Sequence, residues 1–150
     1  MIKNGAKKII MSDVPDLTLT PKIKKILRNN QEKIKIAHEV CNKFQKDWKQ
    51  MITEMKKRYK NIITPYFLSE ELANNIIEFK NNVVDGNVET SATKSMMVSK
   101  RTSYSYKPIF NAGVNENNIN KYFYFDEFHP GIWFHQQMAK HIIKLIEKKL

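Results

Sequence analysis

From Asn29 to about Tyr59 the apolar residues Ile34, Ala37, Cys41, Phe44, Trp48, Met51, Met55 and Tyr59 recur every three or four positions. That spacing predicts one long amphipathic helix, because at 3.6 residues per turn such positions fall on a single stripe. It assigns Trp48 and Met51 to the core rather than to a binding surface. The flanks of this helix constrain the fold further. Ala6 to Ser12, entered from Gly5 and closed by Asp13-Val14-Pro15-Asp16, is a short, nearly continuous apolar run that suits a buried parallel strand ending in a loop. Asn61 to Tyr66 is a second short run, β-branched at Ile62-Ile63 and stopped by Thr64-Pro65. Ser69-Glu70-Glu71-Leu72 then opens a helix carrying Leu72, Ala73, Ile76, Ile77 and Phe79, with Ser69 as the expected N-cap. Strand, helix, strand, helix is the order of an α/β fold.

Between Asn81 and Asn120 the periodicity dissolves into Asn, Ser, Thr and Gly with scattered aromatics, so 81–120 is read as a long loop or insertion. Tyr122 to Phe125 is an aromatic run ending in Asp126-Glu127-Phe128-His129-Pro130. Beyond it Ile132, Ala139, Ile142, Ile143, Ile146 and Leu150 stripe a terminal helix. No internal repeat is visible.

At 150 residues the chain suits one domain, 1–150, with a sizeable core. Its 41% hydrophobic and 27% charged residues exclude wholesale disorder. Lys and Arg number 26 against 15 Asp and Glu, a formal charge of +11 that attracts nucleic acid or anionic lipid headgroups. Much of it is Lys43, Lys46, Lys49, Lys56, Lys57 and Lys60 on the polar face of the long helix, which reads as solvated surface. No zinc-finger, RNP-type or KH-type pattern marks a nucleic-acid module. The lone Cys41 excludes an internal disulfide and a Cys-based zinc site. No run reaches the ~18 consecutive apolar residues of a membrane span, and Met1 to Ser12 lacks the apolar core of a signal peptide, so localisation is left open.

The chemistry concentrates at Asp126 and His129. An acid three residues before a histidine, in a turn, can bring its carboxylate onto the imidazole Nδ1–H. That fixes the tautomer and leaves Nε2 free to take a proton from a hydroxyl nucleophile. Spacing alone does not separate this from a surface histidine.

The stretch Tyr122-Phe123-Tyr124-Phe125-Asp126-Glu127-Phe128-His129-Pro130, followed by an amphipathic helix, resembles the last conserved block of the SGNH or GDSL family of lipases and esterases. In that family the Asp and His of this block are two members of the catalytic triad. Asn4-Gly5-Ala6-Lys7-Lys8-Ile9-Ile10-Met11, leading into Val14-Pro15-Asp16-Leu17 and Pro21, is similar to the family's small residue pair, basic residues, buried strand and L-P-x-L-x-x-x-P loop. The segment around Ala37 and Asn42 is similar to the helix that follows that loop. The resemblance covers nearly all of the chain, strongest over Phe125 to Pro130 and weakest over 81–120. In the family, the strand resembling Ala6 to Ser12 comes after the Gly-Asp-Ser block bearing the nucleophile, the oxyanion-hole Gly block and the Gly-x-Asn-Asp block. None of these is found here.

The resemblance therefore implies a partial three-layer α/β/α sandwich, SGNH-hydrolase-like with a flavodoxin-like parallel sheet, lacking its N-terminal strands. It implies a carboxylic or phospholipid ester hydrolase in which His129 acts as general base and then acid, Asp126 orients it, and a serine outside this chain forms the acyl-enzyme. The substrate would be an ester or lipid, and a separate N-terminal half carrying the serine would be a partner. No cofactor or metal is implied, and members of the family are often secreted. Without its nucleophile such a triad is nearly inert.

Ser12, before Asp13 at the end of the first strand, is weighed as an internal nucleophile against a plain strand-end serine. His38, on or beside the helix stripe, reads as packed or rim-exposed, and His135 and His141 show no metal-binding spacing with His129. Tyr104, Tyr106 and Phe110, near Lys100, Arg101 and Lys107, fit a loop over an acyl pocket or an aromatic-basic patch equally well. The rival function is a basic, non-enzymatic module binding nucleic acid or an anionic membrane surface.

Overall fold

A computed structural model describes residues 2–28, 30–94 and 108–149. The elements run β1 (Ile9–Ser12), α1 (Pro21–Leu27), α2 (Gln31–Arg58), β2 (Ile63–Tyr66), α3 (Leu68–Asn82), β3 (Asn87–Ser91), β4 (Tyr122–Tyr124) and α4 (Ile132–Lys149), with 3-10 turns at Ile2–Asn4, Leu17–Leu19 and Ile119–Lys121. The described residues thus form a mixed α/β fold of four helices and two short parallel sheets.

β1 lies parallel to β2, with Ile9 opposite Ile63 and Ser12 opposite Tyr66. The parallel sense follows from the connection, because a chain leaving one strand and crossing back through a long helix re-enters the sheet in the same direction. α2 is that helix; it begins at Gln31, within two residues of the expected Asn29, and Asn30 caps it, its side chain accepting the Lys33 N–H at 3.0 Å.

The cap of α3 differs from expectation. Ser69 is not the N-cap; the helix begins at Leu68 after Phe67, whose side chain caps nothing. The capping acceptor comes from the loop after β1. Buried Asp13 accepts the Ser69 N–H at 3.0 Å on one carboxylate oxygen and the Ser69 hydroxyl on the other. A carboxylate at a helix N-terminus satisfies an orphan donor and complements the helix dipole. It also locks the C-terminal end of β1 to α3.

The stretch 81–120 is not loop throughout. α3 extends to Asn82, and β3 occupies Asn87–Ser91, pairing in parallel with β4. The sequence hides this strand because Asn87-Val88-Glu89-Thr90-Ser91 contains one aliphatic residue, Val88, and Val88 is the one that is buried in the core. Gly86 permits the turn from α3, since a Cβ there would come within 2.9 Å of the Val83 carbonyl oxygen.

The core gathers Leu72, Phe79, Val88, Phe123, Tyr124 and Phe134. Phe79 meets Phe123 and Trp133 edge-on at centroid distances of 5.5 and 5.7 Å, geometry that the aromatic quadrupole favours. Tyr124 reaches out of this core to donate its hydroxyl to the Leu19 carbonyl at 2.9 Å, tying β4 to the turn before α1.

The long helix departs most from the sequence reading. Its fully buried residue is Ile52, whereas Met51, expected in the core, is 38% exposed, and Ile36, Val40 and Phe44 are exposed as well. Trp48 is half-buried, its indole N–H donated to the Ser12 carbonyl at 2.7 Å. Length explains the discrepancy. A helix of 28 residues spans about 42 Å, whereas a strand of four residues spans about 13 Å, so the sheet beneath covers a fraction of the stripe. β1 is itself only partly covered, and an apolar groove of about 620 Å³ runs between it and Trp48, Met55 and Tyr59. Among the described residues no helix is long and apolar enough to cross a membrane.

Candidate functional site

The turn between β4 and α4 is built around one buried carboxylate. Asp126 is 2% exposed, and its Oδ1 accepts the backbone N–H groups of Phe128 and His129, each at 2.8 Å. Side-chain acceptance two and three residues ahead is the local turn that aspartate forms readily. The ends of the loop are pinned independently. Phe125 N–H donates to the His129 carbonyl at 2.8 Å, and Gly131 N–H donates to the Phe123 carbonyl at 2.6 Å. Thr93, beyond β3, donates both its N–H and its hydroxyl to the Phe125 carbonyl at 2.8 Å.

This turn carries the imidazole onto the acid. His129 Nδ1 lies 2.9 Å from each carboxylate oxygen of Asp126, while the His129 side chain is 66% exposed. Burial alone would raise the Asp126 carboxyl, but the bonds from Phe128 N–H, the His129 ring and His129 N–H outweigh it and hold the carboxyl below its usual range. An ionised carboxylate only accepts, so Nδ1 must carry the proton, and the neutral ring then presents a lone pair at Nε2. No described residue hydrogen-bonds Nε2. The arrangement can accept a proton from solution or from a hydroxyl brought to it.

Glu127 fastens the same turn to α1. Its carboxylate receives Lys22 Nζ at 2.9 Å and Lys25 Nζ at 3.5 Å, and its carbonyl receives the Lys22 N–H at 3.0 Å. The Lys22 hydrogen bond, against a smaller effect of burial, holds the Glu127 carboxyl below the ordinary glutamate range.

Two of the other histidines, His38 and His141, also meet acids, through contacts that sequence reasoning missed. His38 Nδ1 lies 3.1 Å from Asp16 and 3.0 Å from the Thr18 hydroxyl, and that hydroxyl is itself 2.7 Å from Asp16. His141 pairs with Glu71 across α3 and α4. No spacing signal could have revealed these pairs, because 22 and 70 residues separate their partners. Cys41 faces Asp16, and burial, then the Asp16 charge, push its thiol up, which makes it a poor nucleophile at neutral pH. His135 lies edge-on to Phe134 at 6.1 Å.

Ser12 stands exposed at the end of β1, and no hydrogen bond joins it to any described histidine. Ser69 is buried with its hydroxyl turned to Asp13. Phe110 forms an isolated antiparallel bridge with Thr93. Tyr104, Tyr106, Lys100, Arg101 and Lys107 lie outside the described residues. Among the described residues no group of three His, Cys, Asp or Glu side chains could hold a metal ion.

Compared with models of known protein families and with curated proteins, the chain matches none.

Proposed function

We propose that the Asp126–His129 pair is the acid–base end of a GDSL-type acyl ester hydrolase, and that the chain corresponds to the C-terminal part of an SGNH-like α/β/α sandwich. The observation that carries this reading is the combination of a buried, ionised carboxylate with an exposed ring whose Nδ1 it holds and whose Nε2 is open. A structural histidine has no need of that asymmetry; a general base requires it.

In this reading His129 Nε2 removes the proton from a serine hydroxyl as that oxygen attacks the acyl carbonyl. The imidazolium formed is stabilised by the Asp126 carboxylate. It then returns the proton to the leaving alcohol oxygen, and a water repeats the cycle to release the acid. In this proposal the serine comes from outside this chain, since the sequence carries no Gly-Asp-Ser block and among the described residues no serine hydrogen-bonds His129. Phospholipid-like esters are the proposed substrate class.

Two measurements test it. Long-range ¹H–¹⁵N spectra of the ring in alkaline buffer should show His129 protonated on Nδ1; a neutral ring protonated on Nε2 would remove the base. The purified chain should hydrolyse p-nitrophenyl butyrate at the buffer background. Fusion behind a Gly-Asp-Ser-bearing segment should raise that rate, and His129→Ala should abolish the gain. Robust turnover by the chain alone, lost in His129→Ala, would refute an external nucleophile.

A further inference from the structure

Beside the Asp126–His129 turn lies a cleft of about 800 Å³ between α1 and the end of β3. Lys24, Lys25 and Arg28 line it from α1 and its C-cap, Ser91 from β3 and Asn111 from the loop before β4, and Glu127, next in sequence to Asp126, lines it as well. Its charges do not cancel. Glu89 is shared by Lys24 at 2.7 Å and Lys80 at 4.0 Å, and Glu127 by Lys22 at 2.9 Å and Lys25 at 3.5 Å. Three cations, Lys24, Lys25 and Arg28, and two carboxylates, Glu89 and Glu127, therefore line the cleft, while Lys22 and Lys80 pair with those carboxylates from outside it.

Arg28 is the unbalanced group. Its guanidinium makes no hydrogen bond or ion pair with any described residue, although it lines the cleft. Its backbone is also strained. Arg28 ends α1 in the left-handed region, φ 42 and ψ 52, where glycine or asparagine is the usual occupant. Backbone strain persists at positions where the side chain has a task.

We propose that this cleft binds a phosphate-type anion, with Arg28 as its principal contact, and that it is the headgroup subsite of the ester substrate. A guanidinium fork matches two oxygens of one tetrahedral anion, and a net positive lining whose carboxylates are already paired with Lys22, Lys24, Lys25 and Lys80 leaves Arg28 free to meet it. The volume accommodates a phosphate with a glycerol-sized substituent. The Asn111 amide, which donates to the Ser91 carbonyl at 2.8 Å, ties these two lining residues together. The link to an ester rests on the hydrolase reading; the anion site does not.

Titration of the ¹⁵N-labelled full chain at low salt decides between the outcomes. With glycerol 3-phosphate, amide shifts should centre on Arg28, Ser91 and Asn111. Arg28→Gln should weaken binding about 10- to 100-fold, as loss of a charge-assisted contact does. His129→Ala and the remote Lys57→Gln should bind as the parent does. Arg28→Gly should lose binding while melting at a higher temperature than the parent, which separates loss of the contact from loss of the fold. Tighter binding of glycerol 3-phosphate than of inorganic phosphate assigns the site to an esterified phosphate. Co-sedimentation with phosphatidylglycerol vesicles but not phosphatidylcholine vesicles, lost in Arg28→Gln, assigns it to a lipid headgroup. Shifts spread over the α2 lysines, or shifts indifferent to Arg28→Gln, would overturn the proposal. Binding at the cleft without hydrolysis in any assembly would leave the anion site standing and remove the hydrolase.

Discussion

Replacing Asp126 by asparagine isolates what its charge contributes, since the side chain keeps its shape. The carboxylate accepts the Phe128 and His129 N–H groups at 2.8 Å and the ring at 2.9 Å, all from a buried position. Charge-assisted bonds contribute about 1.5–3 kcal/mol each, against about 0.5–1.5 for neutral ones, so the two backbone bonds together lose about 2 kcal/mol. Easier desolvation of the neutral amide offsets part of this, and about 1–2 kcal/mol of destabilisation is expected. The third bond changes kind. An amide N–H turned toward Nδ1 makes the ring an acceptor there and moves its proton to Nε2. In an assembled hydrolase that tautomer would cost roughly 10⁴-fold in kcat. Asp126→Ala removes all three acceptor contacts and should cost more, about 3–4 kcal/mol. Urea unfolding at neutral pH gives the stabilities, and ring ¹⁵N shifts give the tautomer.

The sign of the pH dependence follows from the lowered Asp126 carboxyl. A group ionised more readily when folded stabilises the fold above its unfolded value, about 3.9, and that contribution fades as pH falls through the lower folded value. The parent and Asp126→Asn should therefore differ most above pH ~4 and converge in stronger acid. An asparagine variant as stable as the parent across that range, with its ring still protonated on Nδ1, would refute the account of the turn.

Other consequences are more local. Arg28→Gly should stabilise the chain by about 1 kcal/mol in thermal or urea unfolding, because glycine adopts the left-handed cap without strain. Asp13→Ala should destabilise by about 2–4 kcal/mol, since it uncaps α3 and leaves the buried Ser69 hydroxyl unpaired; a loss under 1 kcal/mol would show that α3 does not depend on this cap. Ile52→Ala should cost about 2–4 kcal/mol while its exposed neighbour Met51→Ala costs under 1, a contrast that separates the observed face of α2 from the one the periodicity suggests. Cys41 should react with iodoacetamide more slowly than a free thiol near pH 8, and Asp16→Asn should accelerate it by removing the charge that disfavours the thiolate.

What the chain declares by itself is local. Short β-branched runs around Ile9–Ser12 and Ile63–Tyr66, with a 3.6-residue period between them, determine parallel strands joined by a helix, because dihedral preference and side-chain spacing act over a few residues. Asp126 and His129 were legible for the same reason: three positions in a turn bring carboxylate and imidazole together without help from distant chain. Tertiary structure alone decided the rest. It chose which stripe of α2 is covered, because that depends on the short extent of the sheet beneath. It made a strand of Asn87–Ser91, whose one buried aliphatic, Val88, finds its partners on α3, β4 and α4. It set Asp13 over the start of α3 and His38 against Asp16, and left Arg28 facing a cleft, since contacts between residues far apart in sequence depend on packing that no local pattern encodes.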